Sequence, residues 1–227
     1  MKIFITGVTK GIGKALAFKF AKQGFDIVGC ARNQQELSAL SNQLIKEYPT
    51  NKYNLFEMDV CDNKALELIE SKVKNIDILA NNAAYYLEAP LFSETQDQLK
   101  ELIDTNFFAP YVLTKNLLPI LKKSSNPHII NICSLAGHKT FEKGPAYAIS
   151  KAAMLHFSRT LQEILKPQGI KVTSILPSAT LTSSWDGEDV IENKFILPED
   201  IASMAYTATQ LSVGASVSEM RFDAKGF

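Results

Sequence analysis

Neither sign of charge predominates in this 227-residue sequence: lysine and arginine total 24, and so do aspartate and glutamate. That balance excludes the broad basic surface that draws a protein to nucleic acid or to an anionic membrane. Any anionic ligand must therefore be held by local features. Cysteine is scarce. Cys30, Cys61 and Cys133 are too few and too scattered for a disulfide framework or a zinc knuckle, and each reads as a small buried apolar residue. No apolar run approaches the length of a membrane span, and Lys2–Ile5 passes into Thr6-Gly7 too soon to be a signal-peptide core. Of the three histidines, His128 and His156 have no ligand-like neighbours in sequence, so no metal site is expected. A reducing cytoplasm is the expected compartment.

What is present is a regular alternation. Short β-branched or apolar runs at Ile3–Thr6, Asp26–Cys30, Asn54–Met58, Ile76–Ala80, His128–Cys133, Lys171–Leu176 and Glu219–Phe222 read as strands. Between them, helical periodicity covers Ile12–Gln23, Gln34–Glu47, Lys64–Val73, Gln96–Leu121, Ala146–Leu165 and Pro198–Leu211. Strands that alternate with helices, and are apolar along their whole length, predict an α/β fold: a Rossmann-type, doubly wound parallel sheet of about seven strands with helices on both faces. With no repeat, linker or low-complexity tract, residues 1–227 read as one domain.

Two clusters suggest a ligand site. Thr6-Gly7-Val8-Thr9-Lys10-Gly11-Ile12-Gly13 falls where the first strand ends and the first helix begins. Glycines there allow a tight turn and close backbone approach, and free N–H groups at the helix start attract a pyrophosphate. Gly13 would also let the helix pack close to the strand. At the end of the second strand, where a carboxylate would favour an unphosphorylated ribose, the sequence reads Cys30-Ala31-Arg32-Asn33. Arg32, with Lys10 as a second cation, suits a 2′-phosphate.

Further along, Tyr147 and Lys151 stand four apart, on one face of a helix. A free phenol has a pKa of about 10. The neighbouring ammonium and the positive helix end are expected to favour the phenolate and make Tyr147 a workable acid or base. Ser134 follows an apolar strand, at the sheet edge where open α/β folds bind ligands. Asn106 lies on the apolar stripe formed by Leu99, Ile103, Pro110, Leu113, Leu117 and Ile120. Pro110 has no N–H to give the Asn106 carbonyl. This predicts a kink with that carbonyl turned inward, able to hold a water or the Lys151 ammonium.

Together these residues resemble the short-chain dehydrogenase/reductase family in its compact branch, from residue 2 to about residue 210. Thr-Gly-x-x-x-Gly-x-Gly at 6–13 is similar to its cofactor loop and Tyr-x-x-x-Lys at 147–151 to its catalytic signature, while Ser134 and Asn106 match its serine and helix asparagine. Asp59-Val60, Asn81-Asn82-Ala83 and Pro198-Glu199-Asp200-Ile201-Ala202 resemble further family motifs. Two positions depart from the pattern: Ala84 and Ser178 stand where the family usually has glycine.

The resemblance implies an oxidoreductase that uses NADP(H) in preference to NAD(H) to interconvert a carbonyl and a secondary alcohol, with a ketone, diketone or 3-oxoacyl-type substrate. It implies Asn106, Ser134, Tyr147 and Lys151 as catalytic residues. It implies cofactor contacts from Gly7, Thr9, Lys10, Gly11, Ile12, Gly13, Arg32, Asp59, Val60, Asn82, Ala83, Tyr147, Lys151, Pro177, Thr180 and Thr182. Substrate recognition is expected in Leu135–Pro145, where His138 lies, and in a lid at 178–197. A homo-oligomer, dimer or tetramer, is expected through the helices at Gln96–Leu121 and Ala146–Leu165. A cofactor-binding sensor without turnover is the competing reading, against which the full Ser134–Tyr147–Lys151 set weighs.

Overall fold

Strand alternation decides the layering. Along β1 (Lys2–Thr6), Ile3 and Ile5 turn to one face of the sheet and Phe4 to the other, and all three are fully buried. The same double burial holds along β2 (Asp26–Ala31), β4 (Ile78–Asn81), β5 (His128–Ile132) and β6 (Lys171–Pro177). With β3 (Tyr53–Glu57) and β7 (Glu219–Phe222) at the edges, the order is β3-β2-β1-β4-β5-β6-β7, every neighbouring pair parallel. The structure is a computed structural model and describes residues 1–185, 187, 189 and 191–225.

Helices cover both faces. On the face of Ile3 and Ile5 lie α1 (Gly11–Lys22), α2 (Gln34–Glu47) and α8 (Pro198–Thr209), packed through Leu16, Phe20, Leu40, Leu44 and Ile201. The Phe4 face carries α3 (Asn63–Glu67), α4 (Ile69–Lys72), α6 (Ala109–Leu121) and α7 (Pro145–Leu165), through Leu66, Ile69, Leu113, Leu117 and Leu161. α5 (Gln96–Ile103) leads into α6. The expected doubly wound sheet is the one observed. Its order reverses at β1, so the crevice between the carboxyl ends of β1 and β4 is the natural ligand position.

Two predicted helices are broken. The span Lys64–Val73 is two short helices meeting at Leu68. The span Gln96–Leu121 is interrupted by a π-helical turn at Asp104–Phe108, in which the Ala109 N–H donates to the Asp104 carbonyl five residues back. Pro110 has no N–H for the ordinary four-residue bond to Asn106. The predicted kink is thus a π turn centred on Asn106.

One close contact fixes the sheet's edge. A Cβ on Gly13 would lie 2.1 Å from the Gly7 carbonyl oxygen and 2.5 Å from Asn82 Nδ2, so α1 reaches the strand only because that carbon is missing. Gly13→Ala is expected to cost about 3 kcal/mol, the upper part of the overpacking range. Urea denaturation without ligand would measure it, and a change below about 0.5 kcal/mol would contradict the contact.

Candidate active site

The glycine loop begins with a lock between strands. Thr6 Oγ1 accepts from the backbone N–H groups of Asn82 and Ala83, both at 3.0 Å, and Asn82 Nδ2 donates to the carbonyls of Thr6 (2.8 Å) and Gly7 (3.1 Å). The ends of β1 and β4 are thereby tied, and the chain leaves β1 through Gly7 (φ 66°) and Gly11 (φ 49°), left-handed conformations that favour glycine. α1 then starts with no side-chain cap and no acid in its first turn. Its leading N–H groups are left for an anion.

A cavity of about 1290 Å³ opens above this loop and runs along the carboxyl edge of the sheet. Thr9, Lys10, Arg32, Asp59 and Val60 line it together with Gly7, Gly11, Ile12, Asn82 and Ala83, with Thr182 against Gly11, and with Ser134, Tyr147, Lys151, Pro177 and Thr180. The expected contact residues therefore share one cleft, with two exceptions. Gly13 is buried behind the wall as a packing residue. Asn106, 2% exposed, is likewise behind it.

Asn106 differs from expectation in what it holds. Its side-chain oxygen accepts from the Tyr85 N–H (2.8 Å), and its Nδ2 donates to the Tyr85 carbonyl (2.9 Å) and to Ser150 Oγ (2.9 Å). Ser150 Oγ donates in turn to the Tyr147 carbonyl (2.7 Å). Asn106 thus pins the loop after β4 to the helix that carries Tyr147. Lys151 is bonded elsewhere: its Nζ donates to the Ile132 carbonyl at 3.2 Å. The kink is present, but the Asn106 side chain supplies the link.

α7 has no side-chain cap of its own, with Gly144 at the cap position and Pro145 at its start. Glu94, from the loop before α5, accepts from the Ala146 N–H at 3.0 Å and supplies the missing cap. The Tyr147 ring is half-buried between the edges of Tyr86 (centroids 4.9 Å apart) and Phe141 (6.4 Å). Ser134 stands beside the phenol and favours its phenolate form.

The electrostatics run opposite to the expectation that Lys151 lowers the phenol. Burial pushes Tyr147 up to about 12, and only Ser134 pulls it back. Burial likewise brings the Lys151 ammonium down to about 8. Nζ sits 5.9 Å from the ring centroid, and desolvation is the largest influence on both groups. Near neutrality Tyr147 is a neutral phenol and Lys151 a cation.

At the opposite end, the structure adds a residue absent from the expected set. Glu36, on the first turn of α2, lines the cleft and accepts from Lys10 Nζ at 2.9 Å. Lys10 and the Thr9 hydroxyl hold its carboxyl below the usual range against a smaller effect of burial.

The two departures from the glycine pattern are accommodated. Ala84 faces the cleft without a positive φ. Ser178 Oγ accepts from the Ala224 N–H at 2.7 Å and binds β6 to the chain beyond β7. The segment 178–197, expected as a lid, is pinned at its base by Leu181 N–H to the Ile196 carbonyl (2.9 Å) and Ile196 N–H to the Ala179 carbonyl (3.0 Å). Trp185 packs edge-on against Phe195 at 4.9 Å. Within that segment, residues 186, 188 and 190 lie outside the described residues. Among the described residues no helix is long and apolar enough to cross a membrane, and no three His, Cys, Asp or Glu side chains gather as a metal site.

Comparison with known proteins follows the same lines. The model of the short chain dehydrogenase family matches residues 1–189. An uncharacterized oxidoreductase of Staphylococcus epidermidis is 32% identical over 215 residues, covering 92% of this chain and 90% of that protein. Serine 3-dehydrogenase of Agrobacterium fabrum is 31% identical over 215 residues, covering 90% and 86%. Among solved structures, the closed form of serine dehydrogenase complexed with NADP+ superposes with a TM-score of 0.87 at 27% identity, over 98% of this chain and 94% of that one.

The Tyr147 environment can be read without any ligand. The difference in tyrosinate absorbance between the wild type and Tyr147→Phe is expected to stay flat up to pH 10. A tyrosinate forming between pH 7 and 8 would contradict the dominance of burial.

Proposed function

The chain belongs to the short chain dehydrogenase family and is an NAD(P)-dependent oxidoreductase; from that premise we propose that it interconverts a small carbonyl compound and its secondary alcohol, preferring NADP(H). The observation that carries this reading is one cleft with Arg32 and Lys10 at one end and Ser134, Tyr147 and Lys151 at the other. The glycine turn and the uncapped start of α1 fit a pyrophosphate between them. Arg32 is exposed beside the start of α2, suited to a 2′-phosphate. The solved serine dehydrogenase with NADP+ supports the same cofactor.

Ser134 and Tyr147 hydrogen-bond the substrate oxygen. When bound, the nicotinamide supplies or accepts the hydride at the adjoining carbon. In reduction Tyr147 gives its proton to the oxygen as the C–H bond forms; in oxidation it takes that proton back. Lys151, charged below about pH 8, holds the ribose and stabilises the phenolate left behind. Asn106, through Ser150 and Tyr85, positions the helix and the facing loop.

The substrate end is lined by Tyr86, Phe141 and Trp185, with Glu88, Lys139 and Lys143 among its polar groups. This mixture fits a small polar substrate. The relatives named for serine make β-hydroxy acids the first alcohols to test, beside ketones, diketones and 3-oxoacyl thioesters. We assign the protein to the cytoplasm and to a homo-oligomer joined through α5, α6 and α7. Leu99, Tyr111, Ile149 and Ile164 leave apolar surface exposed on those helices.

NADPH oxidation against this panel tests the proposal. Tyr147→Phe is expected to lose about 10²-fold or more of the rate, the contribution of a positioned proton donor. The pH profiles follow from the raised phenol. Its protonated form is the one present near neutrality, so reduction proceeds there, whereas oxidation needs the phenolate and climbs as pH rises. Turnover that survives Tyr147→Phe, or oxidation that falls between pH 6 and 8, would sink the assignment.

A further inference from the structure

Beside Lys10, Arg32 and Asp59, the cofactor end of the cleft holds a further charge, Glu36. Glu36 is fixed by its own backbone: Asn33 Oδ1 accepts from the N–H groups of Gln35 (2.9 Å) and Glu36 (3.1 Å) and sets the first turn of α2 beside Arg32. From there its carboxylate reaches across the mouth of the cleft to Lys10 of the glycine loop, at 2.9 Å. Arg32, by contrast, makes no ion pair within 4.0 Å among the described residues.

We propose that Glu36 sets the cofactor preference: by holding Lys10 it keeps one of two cations engaged and moderates the selectivity for NADP(H) over NAD(H). This rests on the reading of the chain as a nicotinamide-dependent oxidoreductase. A 2′-phosphate brings nearly two negative charges. To use Lys10 it must share the ammonium with a carboxylate already in contact, and it meets that carboxylate's repulsion. NADH has no 2′-phosphate and encounters neither effect. The pair is partly exposed, with the Lys10 side chain at 60% and the Glu36 side chain at 33%. Solvent screens such a pair, so its influence is graded rather than absolute.

Calorimetric titration with NADPH and NADH, in low salt and with no substrate present, tests this directly. Glu36→Gln keeps the side-chain volume and the Asn33 cap while removing the charge. It is expected to raise the ratio of NADPH to NADH affinity about two- to fivefold, the effect of a partly exposed ion pair, with the NADH affinity unchanged. In a Lys10→Met background the same substitution is expected to give a smaller gain, from the relieved repulsion alone. An unchanged or lowered ratio in Glu36→Gln overturns the inference, and so does a full gain that persists without Lys10. A wild-type protein that binds neither dinucleotide overturns the parent reading as well, an outcome distinct from binding with an unchanged ratio.

Discussion

The lock between Thr6 and Asn82 is the contact on which the cleft depends. Thr6 receives two backbone N–H groups from the end of β4, and the Asn82 amide returns two bonds to the carbonyls at the end of β1. Four hydrogen bonds hold the two strand ends at the point where the sheet order reverses. Gly7 can therefore turn upward with a positive φ, and α1 can approach until Gly13 has no room for a methyl. If the strands parted here, the free N–H groups of α1 would no longer face the crevice, and the two halves of the cleft would lose their common floor.

Burial rather than ion pairing governs the chemical end. A tyrosine and a lysine four apart suggest a phenol made acidic by its neighbour, yet burial raises the phenol and lowers the ammonium. The resulting state, a neutral phenol beside Ser134 and a cationic Lys151, is a proton donor in waiting. Precise placement comes from the other side. Asn106, Ser150 and Glu94 tie the loop after β4 and the start of α7 into one unit. The π turn is what puts a buried amide at the junction. The cofactor end follows different physics, because Lys10 and Glu36 are partly exposed to solvent and their pairing is weak and adjustable.

What could be read in advance was whatever depends on local pattern. Apolar runs doubly buried in parallel strands gave the layering, and the start of α2 at Gln34 and the span of β7 at Glu219–Phe222 were legible to the residue. Tyr147 and Lys151 were legible because four residues make about one helical turn. Pro110 pointed to a kink, though not to its π form. Contacts between distant segments were not legible: Glu94 capping α7, Ser178 bonding Ala224 and Glu36 reaching Lys10 join residues from different elements. The direction of the Tyr147 pKa was misread for a related reason, since spacing reports the neighbour's charge but not how much water the fold removes.

Hydrogen exchange with and without NADPH addresses the central claim, a dinucleotide held along the carboxyl edge of the sheet. Slowed exchange is predicted together at residues 7–13, 32–36, 82–85 and 177–182, segments that form this cleft. No slowing at these amides, or protection confined to the groove between α1 and α8 lined by Lys14, Lys19 and Ala202, would contradict it.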